Sequence, residues 1–277
     1  MKVFVSVDME GIGGIASWRE MRTSSPDHNM VRSLATEEAN AVTRGLKASG
    51  VDHVVVCDSH ALGENLYVEQ LDPDVELVRG YPRAYYMLHG LDASFGLLIL
   101  LGYHARCGTM HGVLDHSYSS FAIYNMKLNG KDVGELEINS GLAATYGVPV
   151  GLVSGDAELI EQVKSTLPQH VETVVTKYGI SRMAARSRHP EKIREELERK
   201  ARKAVEKVGR LGLLTYQAPL RVELDLMDSV MADMVALLPF VERRSARQVV
   251  FETDDFAMLY RELMAVIALC TSTREWR

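Results

Sequence analysis

Short apolar runs that alternate with an amphipathic segment constrain the fold of this chain more than any other feature. Residues 3–8, 54–58 and 97–102 are rich in branched apolar side chains, and each run ends in polar residues or glycine. Runs of this kind are typical of strands that are covered on both faces. Residues 30–49, between the first two runs, carry apolar residues at helical spacing and are followed by Gly50. This strand–helix–strand succession predicts a parallel sheet.

The rest of the chain predicts further strands and helices. Asn129-Gly130 is a hairpin turn signal. The additional elements that we expect are strands at 121–128, 148–153, 222–226 and 248–251, and helices at 134–146, 190–208 and 256–271. The predicted fold class is α/β, with a mainly parallel central sheet flanked by helices and a second, smaller α+β C-terminal part. The predicted domains are residues 1–170 and 171–277.

Composition excludes several classes of protein. The net charge of −6 gives no basic excess for a nucleic-acid backbone, so we expect no nucleic-acid partner. Three cysteines are too few for a disulfide framework, which favours a reducing compartment. Asp8 and Glu10 interrupt the apolar run that a signal peptide would need. The apolar stretch 95–103 is about half of the ~20 residues of a membrane span. We therefore expect a soluble, cytoplasmic protein with no membrane association.

Carboxylates and histidines follow the predicted strands directly. Asp8 and Glu10 come after the first strand, and residues two apart in an extended segment point to the same side. His60 and His104 follow the second and third strands, and ligands bind at the carboxyl ends of strands in such sheets. Two carboxylates this close repel each other unless a cation or a proton lies between them. Imidazole and carboxylate ligands are those expected for zinc, and the sequence therefore indicates a metal site.

Glu135 and His116 are two further candidate site residues, and their local sequence is equally consistent with an ordinary structural role. Glu135 begins the predicted helix, where a glutamate commonly serves only to complement the helix dipole. His116 lies in a polar loop before Ser117, and an ordinary exposed histidine is an equally simple interpretation.

Two rival sites use some of the same residues. The segment 11–16 fits the glycine pattern of a dinucleotide-binding turn, but Asp8 and Glu10 would repel a pyrophosphate there. A structural zinc site remains open as the second interpretation, because a Cys₂His₂ set could be formed by Cys57, His60, His104 and Cys107.

Several motifs together resemble the DppA-type zinc D-aminopeptidase family. The resemblance covers roughly residues 1–190 and lies in segments 6–12, 36–40, 58–60, 101–105, 116–117, 134–136 and 155–156, with weaker likeness at 176–177 and 180–182. Cys57 and Tyr118 depart from the pattern that we expect for the family, which leaves the substrate preference open.

The resemblance implies a site with two Zn²⁺ ions per subunit in residues 1–170. Asp8 would bridge the metals, Glu10 and His60 would complete one site, and His104 and Glu135 the other. It further implies that His116 is the catalytic histidine. Members of the family release N-terminal D-amino acids from short peptides and form ring-shaped homo-oligomers, described as decamers.

The expected reaction is hydrolysis by hydroxide at a zinc pair, with His116 passing the proton to the departing amine. Two alternatives remain. The same centre could serve another metallohydrolase, an amidase or a phosphoesterase, or the metals could stabilise a protein that catalyses nothing.

Overall fold

The computed structural model describes residues 1–276, which form two sheets. The twelve strands are, in chain order, β1 (Lys2–Val7), β2 (His53–Asp58), β3 (Val75–Val78), β4 (Phe95–Tyr103), β5 (Ile123–Leu128), β6 (Lys131–Asp132), β7 (Val150–Asp156), β8 (Glu172–Ser181), β9 (Ala184–Ser187), β10 (Leu220–Leu226), β11 (Glu242–Arg243) and β12 (Gln248–Thr253). The α-helices are α1 (Trp18–Met21), α2 (His28–Lys47), α3 (Glu135–Thr145), α4 (Ala157–Thr166), α5 (Pro190–Glu206), α6 (Ser229–Val235) and α7 (Phe256–Ser272). Short 3₁₀ turns lie at Val68–Gln70, Tyr86–Leu88, Val208–Arg210 and Thr273–Trp276.

The larger sheet has the strand order β3-β2-β1-β4-β7-β8-β9. Every neighbouring pair in it is parallel except β8 and β9, which are antiparallel. The chain moves outward from β1 through β2 to β3 and then returns to place β4 on the other side of β1. The strand order therefore reverses between β1 and β4, the position at which ligands bind in sheets of this type.

Alternate residues of β1 enter two different hydrophobic cores. Val3, Val5 and Val7 pack in the core that contains buried residues of α2 and α5. Phe4 points to the opposite face and joins the core that the larger sheet shares with the second sheet and with α3 and α7. Both faces of the sheet are thus covered, which explains why its strands are continuous apolar runs.

The second sheet is antiparallel and has the order β11-β12-β10-β5-β6. Asn129 and Gly130 form the turn between β5 and β6 with φ of 50° and 78°, a conformation that asparagine and glycine tolerate best. In β10 buried and half-buried residues alternate strictly, because only one face of this sheet packs on the core.

The predicted α/β fold class, with its mainly parallel sheet and smaller second part, is confirmed. The sequence prediction omitted α1, β3, α4, β8, β9, α6 and β11. The domain division at residue 170 stays a prediction. Each sheet contains strands from both sides of residue 170 in the chain, because β8 and β9 extend the larger sheet and β5 and β6 belong to the second sheet.

One helical stretch, Phe256–Glu275, is long and apolar enough to cross a membrane by length and composition alone. The sequence prediction about membrane spans rested on residues 95–103 and did not identify this helix. In the structure Leu259, Leu263 and Val266 of this stretch are buried in the core, as expected for the core helix of a folded domain. The absence of a membrane partner stays a prediction.

Candidate metal centre

Three neighbouring strands deliver polar side chains to one edge of the larger sheet. Asp8 directly follows β1, His60 lies two residues beyond the end of β2, and His104 directly follows β4. Because β1 lies between β2 and β4, the carboxylate lies between the two imidazoles. Glu10 comes from the loop after β1, and Glu135 is the first residue of α3.

Two glycines allow the loops after β1 and β4 to lie in direct contact. A Cβ on Gly11 would lie 1.8 Å from the Tyr103 carbonyl oxygen. Gly102 has a φ of +69°, and a Cβ there would lie 2.3 Å from the Asp8 carbonyl oxygen. Only glycine permits this approach, which holds Asp8 next to His104. Gly11 therefore serves loop packing.

Five side chains form what we call the ligand cluster: Asp8, Glu10, His60, His104 and Glu135. His60 Nδ1 lies 3.2 Å from Asp8 Oδ1 and 2.9 Å from Glu10 Oε2. His104 Nε2 lies 3.5 Å from Asp8 Oδ2 and 3.4 Å from Glu135 Oε1. The three carboxylates are each at most 5% exposed. The structure thus brings together the five residues that the sequence predicted as metal ligands.

His116 lies beside the ligand cluster. Its ring stacks on that of His104 with centroids 4.0 Å apart, and the edge of Trp18 packs against it at 6.0 Å. His116 Nε2 lies 3.8 Å from Glu10 Oε1 and 3.9 Å from Glu135 Oε1.

Backbone carbonyls fix the tautomers of two imidazoles. His104 Nδ1 lies 3.0 Å from the Ala105 carbonyl oxygen, and His116 Nδ1 lies 2.9 Å from that of Leu114. A carbonyl can only accept, so each Nδ1 carries a proton and, in the neutral ring, each Nε2 presents a lone pair. These lone pairs face carboxylate oxygens, which also only accept. A backbone partner on the far nitrogen is the arrangement that orients a metal-binding histidine.

The pKa values of residues in the ligand cluster reflect the high density of negative charge there. Burial, together with the charge of Glu10, raises the pKa of Asp8 to about 7. Burial alone would lower the pKa of His104, but the Glu135 and Asp8 charges outweigh it and raise the pKa to about 10. His60 shifts well upward in pKa as well, because the Glu10 charge outweighs burial. Positive charge is therefore favoured within the cluster, whether protons or a metal supply it.

The residues present fit divalent cations. Asp8 Oδ2 and His104 Nε2 are buried and have no hydrogen-bond partner among the described residues. Potential ligand atoms converge in two overlapping groups: Asp8, Glu10 and His104, and His104, His116 and Glu135. Carboxylate and imidazole ligands are suited to zinc. Which side chain holds which of two metals stays a prediction, as does a role for His116 outside the metal shell.

A second buried group, which we call the carbonyl clamp, supports the loop that carries Glu10. Lys177 of β8 is buried and donates to the carbonyl oxygens of Glu10, Ile12 and Ile15 at 2.5, 2.8 and 2.5 Å. Thr176 Oγ1 donates to the Gly11 carbonyl at 2.6 Å. Sequence likeness singled out residues 176–177 but gave them no role, because nothing local shows that a lysine points into a loop more than 160 residues away.

The ligand cluster lines a cavity of about 220 Å³. Its walls include Trp18, Tyr86, Tyr118 and Arg274, none of which the sequence marked as a site residue. Tyr118 does stand in the His116-Ser117 motif, and its backbone N–H donates to Glu135 Oε1 at 2.5 Å, which orients that carboxylate.

The rival sites do not form. The Cys57 thiol lies 3.3 Å from Arg83 Nη1, and the Cys107 thiol lies 3.3 Å from Ser117 Oγ. Within residues 1–276, no group of potential metal-ligand atoms includes a cysteine. The dinucleotide pattern fails as expected, since α1 begins only at Trp18 and is four residues long.

Comparisons with known proteins point to one family of enzymes. A family model described as D-aminopeptidase, Peptidase M55, matches residues 1–265. A D-aminopeptidase of Bacillus subtilis (strain 168) is 32% identical over 274 residues, which cover 99% of each chain. The solved structure of the Zn-dependent D-aminopeptidase DppA from Bacillus subtilis, described as a self-compartmentalizing protease, superposes with a TM-score of 0.94, 32% identity and 99% coverage of both chains. The chain belongs to the D-aminopeptidase family Peptidase M55.

Proposed function

We propose that this protein is a zinc-dependent aminopeptidase that removes N-terminal D-amino acids from short peptides. The observation that carries the proposal is the ligand cluster, in which Asp8 Oδ2 and His104 Nε2 are buried, face each other and have no hydrogen-bond partner among the described residues. Membership of a family described by D-aminopeptidase activity supports the substrate class. Glu10 lies beside His60 on one side of Asp8, and Glu135 lies beside His104 on the other side. We therefore place two zinc ions in the cluster.

The contacts of Asp8 support its role as the bridging ligand. Its two oxygens face different imidazoles, Oδ1 towards His60 and Oδ2 towards His104. Glu10 and His60 would complete one metal site, and His104 and Glu135 the other. A zinc pair polarises a scissile carbonyl and activates water near neutral pH. The three carboxylates offset most of the charge of such a pair.

His116 is the residue that we propose moves the proton. Its Nδ1–H donates to the Leu114 carbonyl, so Nε2 is free to accept a proton at the cavity surface. Burial and the His104 charge lower the pKa of His116, which keeps this nitrogen unprotonated at neutral pH. Its neighbours His104 and Trp18 hold the ring in place. The proton can then pass to the departing amine.

We further propose a cytoplasmic homo-oligomer, with a decameric ring as the specific form. The description of the Bacillus subtilis structure as self-compartmentalizing supports assembly. Three free thiols support a reducing compartment.

Metal content and a substrate panel test the proposed function. We expect two zinc ions per chain, loss of activity on chelation and recovery with zinc. D-aminoacyl amides and short D-peptides should be hydrolysed, whereas the L-isomers and phosphate esters should not. A phosphate ester turned over in preference to every amide would assign the centre to another metallohydrolase. A zinc-loaded protein that hydrolyses nothing would contradict catalysis.

His116→Ala separates the two roles that the geometry allows for this side chain. As a proton carrier, its loss should lower kcat by about 10²–10⁴-fold while both metals stay bound. His53→Ala, a half-buried histidine of β2 outside the cavity, is the matched control. Loss of one zinc ion together with His116 would instead make it a ligand.

A further inference from the structure

The cavity beside the ligand cluster has one wall residue of opposite charge. Arg274 lines the same cavity as Asp8, Glu10 and Glu135. Its guanidinium carbon lies 4.6 Å from the centre of the Phe121 ring. Within residues 1–276, no carboxylate forms an ion pair with Arg274. The cavity therefore combines a buried anionic floor with a cation that lies on an aromatic ring and forms no ion pair within residues 1–276.

The end of α7 fixes the position of this arginine. Arg274 follows α7 in the 3₁₀ turn Thr273–Trp276. Thr273 is buried, and its Oγ1 donates to the Cys270 carbonyl at 2.8 Å, which ties the turn to the helix. Stacking on Phe121 further limits the directions that the guanidinium can take.

An arginine held in this way is suited to bind a carboxylate. The guanidinium is planar, remains charged and presents paired N–H donors that match the two oxygens of a carboxylate. A short unblocked peptide carries one such carboxylate at its C-terminus. The size of the cavity, about 220 Å³, lies below the roughly 300–1,000 Å³ of sites for drug-sized ligands and suits a small substrate.

We propose that Arg274 binds the C-terminal carboxylate of the peptide substrate and thereby selects short peptides with a free C-terminus. This inference rests on the proposed function and adds a specificity-determining residue to it. The scissile bond lies at the ligand cluster, and the carboxylate lies at Arg274. The distance between these two anchors then sets the preferred peptide length.

A neighbouring cavity explains why length matters. Arg274, Tyr86 and Tyr118 also line an adjoining, largely apolar space of about 710 Å³, whose other walls include Met264 and Ile267. A peptide longer than the preferred length would have to carry its charged C-terminus past Arg274 into this apolar space. Its carboxylate would then lie beside apolar walls and away from the paired donors of Arg274, which disfavours longer substrates.

The test compares free acids and C-terminal amides of D-Ala peptides two to four residues long on the zinc-loaded protein. In the wild type, one length should show a preference of about 10-fold or more in kcat/KM for the free acid over its amide. Arg274→Gln should abolish that preference by raising KM for the acid at least 10-fold more than KM for the amide. Arg274→Lys should retain part of it, since charge remains without the paired donors.

Arg186→Gln is the matched control, because Arg186 is also exposed and also stacks on an aromatic ring, Tyr178, at 4.7 Å, but lies outside both cavities. It should leave the acid preference intact. Equal losses on acid and amide in Arg274→Gln, or an unchanged acid preference, would overturn the inference. Amide hydrolysis by the wild type tests the proposed function separately, because its absence would refute the aminopeptidase itself.

Discussion

The ligand cluster includes Glu10 of the loop after β1, and the carbonyl clamp binds the backbone of the same loop from β8. The two buried groups differ in how their polar atoms are satisfied. In the clamp, the Lys177 ammonium faces three carbonyl oxygens within 2.8 Å. In the ligand cluster, Asp8 Oδ2 and His104 Nε2 have no hydrogen-bond partner within residues 1–276. Proteins normally satisfy buried polar atoms, so a cluster that leaves them open is kept for something other than stability.

This difference indicates that the carbonyl clamp stabilises the loop, whereas the ligand cluster forms the site itself. Lys177 fixes the backbone of residues 10–15, and its own burial cost is visible in a pKa lowered to about 8. That backbone carries Glu10, and it thereby keeps Glu10 in the ligand cluster although the carboxylates there repel one another. The clamp therefore contributes stability that offsets the cost of maintaining a site that attracts cations.

Asp8→Asn should produce the largest effect. Without the bridging carboxylate, we expect zinc loss and a fall in kcat/KM of about 10³-fold or more. In zinc-free protein the same change should stabilise the fold. Since the pKa of Asp8 is raised from 3.8 to about 7, its stabilising contribution is present below pH 3.8 and lost as the pH rises through 7.

Urea unfolding in the presence of a chelator measures this gain. At pH 8 the variant should be more stable than the wild type by about 2–4 kcal/mol, and the gain should disappear at low pH. Asp52→Asn, an exposed carboxylate at the opposite end of the sheet, is the control. A variant that is destabilised at pH 8 would show that the cluster is a structural ion-pair network.

Lys177→Met should act in the opposite direction on stability. It leaves three carbonyls without their donor, and we expect a loss of about 3 kcal/mol in the free energy of unfolding. Because the loop then positions Glu10 less well, zinc affinity should fall by about 10–100-fold, as for other groups that orient ligands. Competition with a zinc-binding dye measures it, and the exposed Lys164→Met is the control. Unchanged zinc affinity would separate the clamp from the site.

The strand-end residues could be predicted from the sequence because their positions depend on local pattern. Apolar runs locate β1, β2 and β4, and parallel pairing then brings Asp8, His60 and His104 to one edge. Glu135 could not be derived in this way. Its place depends on how α3 packs against β4 and α7, so only the likeness to the family distinguished it from a residue that complements a helix dipole.

Contacts between distant segments account for the rest. Lys177 lies on β8, a strand that the sequence pattern did not reveal, and its direction is set by the pairing of β8 with β7. Arg274 follows an apolar helix and has no local signal. Its place in the cavity results from the packing of α7 against α3 and α6, which only the complete fold determines.

Glu38→Gln examines a buried atom near the clamp that has no hydrogen-bond partner within residues 1–276. Glu38 Oε1 accepts from the Gly13 N–H at 2.9 Å, whereas Oε2 is buried and has no hydrogen-bond partner among residues 1–276. Burial raises the pKa of Glu38 from 4.5 to about 7, although the Gly13 hydrogen bond and the Lys177 charge oppose it. Its stabilising contribution is therefore present below pH 4.5 and lost as the pH rises through 7.

Glutamine keeps the acceptor for Gly13 and removes the titration. Relative to the wild type, the variant should gain about 2 kcal/mol of stability between pH 5 and pH 8, measured by urea unfolding with zinc bound and with zinc chelated. Glu37→Gln, on the same helix and half-buried, is the matched control for loss of charge. If the gain appears only when zinc is chelated, Glu38 responds to the charge of the metal centre and belongs with the ligand cluster; if it appears in both states, Glu38 belongs with the clamp. A stability difference that does not vary with pH would contradict both assignments, because the carboxyl would then be ionised to the same extent in the folded and unfolded chain.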